Sequence, residues 1–290
     1  MFAPERGKFY RMPVPYGPMP GPRQIPAGKS VDHRRNPTRR TFGISYLVHR
    51  ARLEALLPPG FSLWGDPVLT VDVTYMWGID WLAGRGYNTF GVKFPASANA
   101  NGETVHGTFL SVLWENLADP IISGREELGF SKLYCEIPEP RAHAGRYSIR
   151  CGWLGHFFFE MELADLRDAP PAPPNPQNAG LLHYKFMPRT GDWGTADFAG
   201  AVLSPSQPGD IAITARKTGK GQFRFQRSRW EDLPTLYHIV NALADIELLE
   251  FHGAHLTISE GSTDHANQRI IGHASRVQSA ADAAALLPAK

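Results

Sequence analysis

Residues 121–137 read IISGREELGFSKLYCEI, a segment that combines the patterns of a turn, a charged run and a strand. The segment opens with two apolar residues, Ile121 and Ile122. Three consecutive charged residues, Arg-Glu-Glu, follow Gly124, and a second glycine, Gly129, comes after them. Glycine tolerates backbone conformations that other residues resist, so both glycines predict turns. Beyond them, Lys132 begins a run with the alternation of a β-strand.

Lys132 permits two interpretations. It alternates with Tyr134 and Glu136, whereas the residues between them are apolar. Because side chains alternate between the two faces of a strand, this pattern favours a solvated lysine on a polar face. The second interpretation is a lysine that the preceding turn directs into a cavity. A neutral lysine amine attacks ketones and forms an imine, which draws electrons from a neighbouring bond.

The segment resembles the signature of the acetoacetate decarboxylase-like superfamily. The similarity lies in Gly-Arg-Glu at 124–126 followed by Gly-Phe-Ser-Lys at 129–132, whose lysine forms the Schiff base in that family. Ser131 stands where proline is usual, and Leu133 stands where the decarboxylase has a second lysine. The resemblance implies a mostly β (α+β) single domain, built on a closed antiparallel β-cone or barrel with a few peripheral helices.

The resemblance also implies a set of residues around Lys132. The family's decarboxylases hold the substrate carboxylate with an arginine before the first core strand, and Arg39 aligns with it, with Arg40 equally close. They place two glutamates near the lysine. Asp72 aligns with the first, and Thr89, a predicted substrate contact, lies near the second. The shortened and missing carboxylates argue against acetoacetate decarboxylation.

Other members of the superfamily keep the lysine and catalyse aldol condensation and dehydration of pyruvate-like 2-oxo acids with aldehydes. We favour this aldolase-dehydratase branch, with a keto-acid decarboxylase as the alternative. A non-catalytic ligand-binding relative and a structural β protein stay open. Proton transfer is assigned to Tyr87, Asp72 and Glu126, although Glu126 is also suited to holding the turn. Phe130 and Tyr134 are the aromatic residues expected to contact substrate.

The composition is that of an ordinary globular protein. The 290 residues are 42% hydrophobic and 20% charged, and the net charge of +2 argues against nucleic-acid or anionic-membrane partners. The sequence has neither an apolar run of roughly 20 residues nor the apolar core of a signal peptide, so a cytoplasmic protein is expected. We expect buried thiols at Cys135 and Cys151, and neither a metal nor a cofactor, because His252 and His255 lack a completing carboxylate pattern.

Strands greatly outnumber helices in the sequence pattern. Gly, Pro and Asn turns separate the strands, which favours an antiparallel β architecture. Helices are predicted over 51–57 and 233–245, and a final strand pair and a short alanine-rich helix end the chain. Strands are predicted over 41–49, 68–76, 87–94, 104–114, 132–137, 146–154, 156–163, 182–187, 197–203, 210–217 and 221–226.

We predict one domain at 31–278, preceded by an arm at 1–30 and followed by a tail at 279–290. Six prolines between residues 12 and 26 exclude a helix there and favour extended structure. Several apolar residues in the same stretch favour an arm packed on its own domain or on a neighbouring subunit over a disordered linker. A homo-oligomer is therefore expected. The proline-rich run 169–180 is predicted to be a surface loop inside the domain.

Overall fold

The computed structural model describes residues 4–173, 175–207, 209–263 and 265–272. Alternation of apolar and polar side chains produces its strands, since each strand buries one face. In the third strand, Val68–Ile79, every second residue from Leu69 to Tyr75 is buried and the residues between them are partly exposed.

The chain forms fourteen strands, three α-helices and a π-helical turn in the described ranges. The helices are α1 Arg50–Glu54, α2 Ala118–Ser123 and α3 Tyr237–Ala244, and the π turn Gly124–Leu128 directly continues α2. Short 3-10 turns occupy Val14–Tyr16, Asp80–Leu82 and His265–Asn267. The strands are β1 Thr38–Val48, β2 Phe61–Leu63, β3 Val68–Ile79, β4 Arg85–Ala100, β5 Glu103–Glu115, β6 Lys132–Tyr134, β7 Arg141–His143, β8 Arg146–Trp153, β9 His156–Asp168, β10 Gly180–Pro188, β11 Ala196–Pro205, β12 Ile211–Phe225, β13 Leu248–Gly261 and β14 Arg269–Ile270.

All strands belong to one sheet, in the order β14-β11-β10-β5-β4-β3-β1-β13-β12-β9-β8-β7, with β2 on β4 and β6 on β5. The pairings are antiparallel except for β5 with β6 and β5 with β10. The end strands β14 and β7 do not pair with each other in the described ranges. The expected closed barrel is therefore wrong. With only two and three residues, these edge strands offer little backbone for a closing ladder.

The sheet curls so that its two halves cover one core. Phe90 of β4 stacks on Trp114 of β5 at 4.8 Å between ring centroids, and on Phe159 of β9 at 4.2 Å. All three rings are completely buried. A second, smaller apolar cluster of Leu110, Leu128 and Phe130 packs the π turn against the sheet. This smaller cluster fixes the position of the segment that contains Lys132.

Several predicted elements differ from the observed ones. The strands expected at 210–217 and 221–226 form one strand, β12, because the chain bends at a register shift without leaving the sheet. The predicted strand 132–137 ends at Tyr134. Helix α2 and the π turn replace the simple turn expected at Gly124. The alanine-rich helix and the tail at 279–290 lie outside the described residues.

The proline-rich arm lies across the domain. Arg11 and Arg23 both form ion pairs with Glu127 of the π turn. Gln24 joins two parts of the arm by accepting a hydrogen bond from the Phe9 amide at 2.9 Å and donating one to the Phe9 carbonyl at 3.0 Å. These contacts bring the arm over the face of the sheet that carries Lys132. No helix in the described ranges has both the length and the apolar character needed to cross a membrane.

Candidate active site

A cavity of about 760 Å³ lies between the sheet, the π turn and the arm. The sheet contributes Arg39, Met76, Tyr87 and Lys132 to its wall, while Arg23 of the arm and Lys185 of β10 also line it. Arg39, Met76 and Tyr87 are register partners on β1, β3 and β4, so their side chains share one face. The cavity lies on this face, opposite the main apolar core.

Lys132 is buried, with 7% of its surface exposed. Its Nζ donates to Oε1 of Glu115 at 2.9 Å and to the carbonyl oxygen of Pro120 at 2.9 Å. The same atom lies 5.2 Å from the ring centroid of Phe130. The amine is thus held at the cavity wall by a carboxylate, a carbonyl and an aromatic ring. The prediction of a solvated surface lysine, which the alternating pattern favoured, is wrong, because α2 and the π turn cover the short strand β6.

Gly124 leaves the space that the lysine side chain occupies. A Cβ at this position would lie 2.5 Å from Cδ and Cε of Lys132 and 2.6 Å from Nζ. The backbone of Gly124 is ordinary right-handed helix, at φ −67° and ψ −39°. Glycine is therefore required here for room and not for an unusual conformation. Gly129 differs, since its φ of +80° lies in the left-handed region that favours glycine.

Glu115 is the carboxylate beside the lysine, and it was not among the residues predicted from the sequence. It ends β5, is 1% exposed, and faces Thr89 across the β4–β5 ladder. Burial raises the pKa of the Glu115 carboxyl, and Lys132 opposes that shift. A carboxyl group with a raised pKa at hydrogen-bond distance can take up the proton that the amine must lose. The sequence did hold one indication of this residue: Glu115 follows an apolar predicted strand, and pairing of that strand with its neighbour places it opposite Thr89.

Arg39 and Tyr87 bring a cation and a phenol to the same cavity. Burial lowers the pKa of Arg39, and within the described ranges its Nε has no hydrogen-bond partner. Burial also raises the pKa of Tyr87, as does the nearby Glu115, while Arg39 opposes the shift. Tyr87 therefore stays protonated and can donate. Arg40 points to the other face, where it pairs with Glu139 at 2.8 Å.

Asp72 lies away from the amine. In the ladder it aligns with Lys132 through Gly91 and Leu113, three strand spacings or roughly 14 Å across the sheet. Its carboxylate forms an ion pair with Lys93. A Cβ at Gly43 would lie 2.5 Å from Oδ1 of Asp72. The structure therefore separates Asp72 from Lys132, whereas the resemblance brought the two together.

Four further predicted site residues are also absent from the described cavity wall, namely Thr89, Glu126, Phe130 and Tyr134, and Glu127 lines the wall where Glu126 was expected. Thr89 lies beneath Glu115 in the ladder. Tyr134 is 44% exposed at the end of β6. Arg125 donates from Nη1 to the backbone carbonyl of Lys132 at 2.8 Å. Arg125 therefore fixes the backbone at Lys132.

Phe130 separates the amine from a buried histidine. Its ring packs on His183 at 3.9 Å between centroids, and Nε2 of His183 lies 3.0 Å from Oγ of Ser204. Burial lowers the pKa of His183 to about 3, with His265 and Lys132 adding to the shift. The imidazole is therefore neutral near pH 7 and packs as an aromatic side chain behind the site.

Neither cysteine lies at the cavity. Cys135 and Cys151 are free and buried. In the part of the chain that the structure describes, no three His, Cys, Asp or Glu side chains come together as a metal site.

The sequence matches the acetoacetate decarboxylase family over residues 11–266. Among curated proteins, none matches it. The fold is similar to that of an acetoacetate decarboxylase, with a TM-score of 0.63 and 14% identity over 81% of this chain and 87% of that one. A decarboxylase from Legionella pneumophila gives a TM-score of 0.59 and 16% identity over 87% and 92%.

The fold is also similar to that of the enduracididine biosynthesis enzyme MppR, solved with the condensation product of pyruvate and imidazole 4-carboxaldehyde. The TM-score is 0.60 and the identity 19%, over 81% of this chain and 87% of MppR. At these identities, the similarity to solved structures establishes the fold alone.

Proposed function

Because the chain belongs to the acetoacetate decarboxylase family, we propose that it is an imine-forming carbon–carbon lyase that acts on a small keto acid through Lys132. The observation that carries this proposal is the position of the Lys132 amine. It is buried at a cavity wall, 2.9 Å from the carboxylate of Glu115. A lysine in such a site can pass its proton to the carboxylate and become a nucleophile.

Arg39 is the proposed clamp for the carboxylate of the keto acid. Its guanidinium lines the same cavity, and its buried Nε has no hydrogen-bond partner in the described ranges. A planar guanidinium matches a carboxylate with two parallel hydrogen bonds. Tyr87 lies near both Arg39 and Glu115, where a protonated phenol can donate to the substrate.

In the proposed reaction, the amine adds to the ketone carbon and water leaves as the C=N bond forms. Loss of a proton from the neighbouring carbon then gives an enamine, with Glu115 and Tyr87 as the groups available to move protons. The enamine carbon attacks an aldehyde, and loss of water gives an unsaturated product. Hydrolysis of the imine releases that product and restores the Lys132 amine.

The size of the cavity favours condensation with an aldehyde. Cavities of roughly 300–1,000 Å³ hold drug-sized ligands. A cavity of about 760 Å³ thus exceeds what a three- or four-carbon keto acid fills, and it leaves room for a second reactant. This observation supports the aldolase-dehydratase as the first candidate.

A second candidate, decarboxylation of a β-keto acid, is favoured by Glu115. The absence of a carboxylate at Thr89 had argued against it. Glu115, from the facing strand, supplies a buried carboxylate to the same place. In this reaction the imine receives the electrons of the breaking carbon–carboxylate bond, carbon dioxide leaves, and the resulting enamine takes up a proton.

Borohydride trapping tests the imine. Incubation with pyruvate or acetoacetate and then borohydride should add the mass of the reduced ligand to the peptide that contains Lys132. The Lys132→Gln variant should lose the adduct, whereas Lys220→Gln, which changes a lysine outside the cavity wall, should keep it. No adduct across a panel of keto acids would refute the proposal.

Product analysis separates the two candidates. Release of carbon dioxide from acetoacetate supports the decarboxylase, and an enone formed from pyruvate and an aldehyde supports the aldolase-dehydratase. Brisk turnover of acetoacetate without enone formation would contradict our first candidate.

A further inference from the structure

The cavity carries more cations than the proposed chemistry uses. Lys132 is the proposed nucleophile and Arg39 the proposed clamp for one carboxylate. Arg23 of the arm and Lys185 of β10 line the same cavity and have no part in those steps. Both contact the π turn: Arg23 pairs with the carboxylate of Glu127, and Lys185 donates to the backbone carbonyl of Glu126. We call this region, defined by Arg23 and Lys185, the arm end of the cavity.

Glu127 is the carboxylate paired with Arg23, and it is shared. Arg11 forms an ion pair with the same carboxylate and donates from Nη2 to the carbonyl of Pro20 at 2.7 Å. Two buried guanidinium groups therefore meet one carboxylate. Nε of Arg23 is also buried and has no hydrogen-bond partner in the ranges that the structure describes. A buried donor without a partner is costly, which points to an absent acceptor.

Lys185 is held by neutral groups. Its Nζ donates to the backbone carbonyls of Glu126 at 2.7 Å and of Glu127 at 3.2 Å. An ammonium group has three donors, so one is left for another partner. Burial and the nearby Arg23 both lower the pKa of Lys185, and burial and Arg11 lower the pKa of Arg23. An anion between these two cations would relieve their repulsion.

We propose that Arg23 and Lys185 bind a second carboxylate of the reactants, one distant from the ketone carbon. The inference rests on the proposed function, in which Arg39 holds the first carboxylate. The reactants then carry two carboxylates in total. Either both belong to a dicarboxylic keto acid, or the second belongs to an aldehyde that condenses with a monocarboxylic keto acid.

The simpler explanation is that Arg23 only fastens the arm to Glu127. Arg11 makes the same ion pair but is not part of the described cavity wall, so it provides a matched control. Loss of either arginine weakens the contact between the arm and the π turn. Only loss of Arg23 removes a cation that faces the cavity.

Binding of an unreactive diacid tests the arm end without any imine chemistry. Calorimetry should show that glutarate binds the wild-type protein at least about tenfold more tightly than pentanoate, which has the same chain length and one carboxylate. Arg23→Gln should abolish that preference and Arg23→Lys should restore part of it. Arg11→Gln should retain it. Equal binding of glutarate and pentanoate, or equal losses in both glutamine variants, would overturn the inference.

Trapping experiments then distinguish the two sources of the carboxylate. A lower half-saturating concentration for 2-oxoglutarate than for 2-oxopentanoate in forming the Lys132 adduct would identify a dicarboxylic keto acid. Faster condensation of pyruvate with succinic semialdehyde than with butanal would identify an acidic aldehyde. Whichever preference the wild-type protein shows should disappear in Arg23→Gln.

The two proposals fail in different ways. Glutarate binding that depends on Arg23, without any keto-acid adduct, would refute the proposed lyase and support the anion site. Adducts that form equally with diacids and monoacids, together with equal condensation rates for succinic semialdehyde and butanal, would support the lyase and refute the anion site.

Discussion

At the scale of single residues, three neighbours determine the position of the Lys132 amine. Gly124 has no side chain, and the lysine occupies the space that a Cβ would fill. Glu115 supplies the facing carboxylate, and Phe130 covers the amine with an aromatic ring. The motif around Gly124 and Lys132 therefore has a direct steric explanation.

Gly124→Ala tests that explanation. The backbone of Gly124 is helical, where alanine is preferred over glycine by about 1 kcal/mol, so the variant should fold. Its Cβ should displace the flexible lysine side chain and reduce adduct formation with pyruvate by at least about tenfold, since small misplacements of reacting groups are costly. Borohydride trapping with mass spectrometry measures the adduct, and circular dichroism checks the fold. Ile122→Ala, an exposed change on the adjoining helix α2, should trap normally.

Glu115→Gln tests the carboxylate. The amide keeps the shape of the side chain but cannot take a proton from Lys132. General-base catalysis contributes about 10²–10⁴-fold, so imine formation should slow by at least the lower figure. Glu115→Asp retains a carboxylate and should recover part of the rate. Trapping at timed intervals measures the rate, and a wild-type rate in Glu115→Gln would exclude this role.

At the scale of elements, local pattern predicted most strands and failed where distant segments decide burial. The alternation in β3 is visible in the sequence because one face of that strand is core. The alternation after Lys132 is equally clear but misleading, since α2 and the π turn cover the nominally polar face. Glu115 was missed because strand register, which places it against Thr89, is not evident from either strand alone. Arg23 is brought to the cavity by an arm whose path depends on tertiary contacts.

Gly129 at the end of the π turn provides a test of this element. Its φ of +80° disfavours a side chain, and a Cβ there would lie 2.5 Å from Cβ of Lys185. Gly102 has a similar φ of +82° with nothing within 4 Å of its Cβ position. Gly102→Ala should lose about 1–2 kcal/mol of unfolding free energy from backbone strain alone.

Gly129→Ala should lose about 1–3 kcal/mol more, because it also crowds β10. Chemical denaturation measures both variants. Equal losses would show that the close approach of Gly129 to Lys185 has no energetic consequence.

At the scale of the whole molecule, the curled sheet separates two environments. One face forms the aromatic core around Phe90, and the other carries the cavity and its charges. The closed barrel implied by resemblance was not found, since closure depends on the length of the edge strands and not on the strand patterns. The single domain at 31–278, the cytoplasmic location and the homo-oligomer stay predictions. Light scattering of the full chain and of a form lacking residues 1–27 measures the contribution of the arm to assembly.

Acid stability of the whole fold should depend on His183, which lies behind Phe130. Its pKa falls from the usual 6.5 to about 3 because burial disfavours the charged imidazole. As the pH falls below 6.5, the unfolded chain takes up a proton at this residue, whereas the folded chain does so only near pH 3. The stability that His183 contributes is therefore complete above pH 6.5 and is lost progressively as the pH falls towards 3.

Between pH 7 and pH 5 this difference amounts to about 2 kcal/mol of unfolding free energy. His183→Gln retains a side chain that can bond Ser204 but removes the titrating group, so its stability should fall by about 2 kcal/mol less than that of the wild type over this range. Ser204→Ala should lower stability at both pH values and keep the wild-type pH dependence, because the imidazole is still present. Denaturant titrations at pH 7 and pH 5 measure these differences. An unchanged pH dependence in His183→Gln would mean that the imidazole behind Phe130 is not the group that resists protonation.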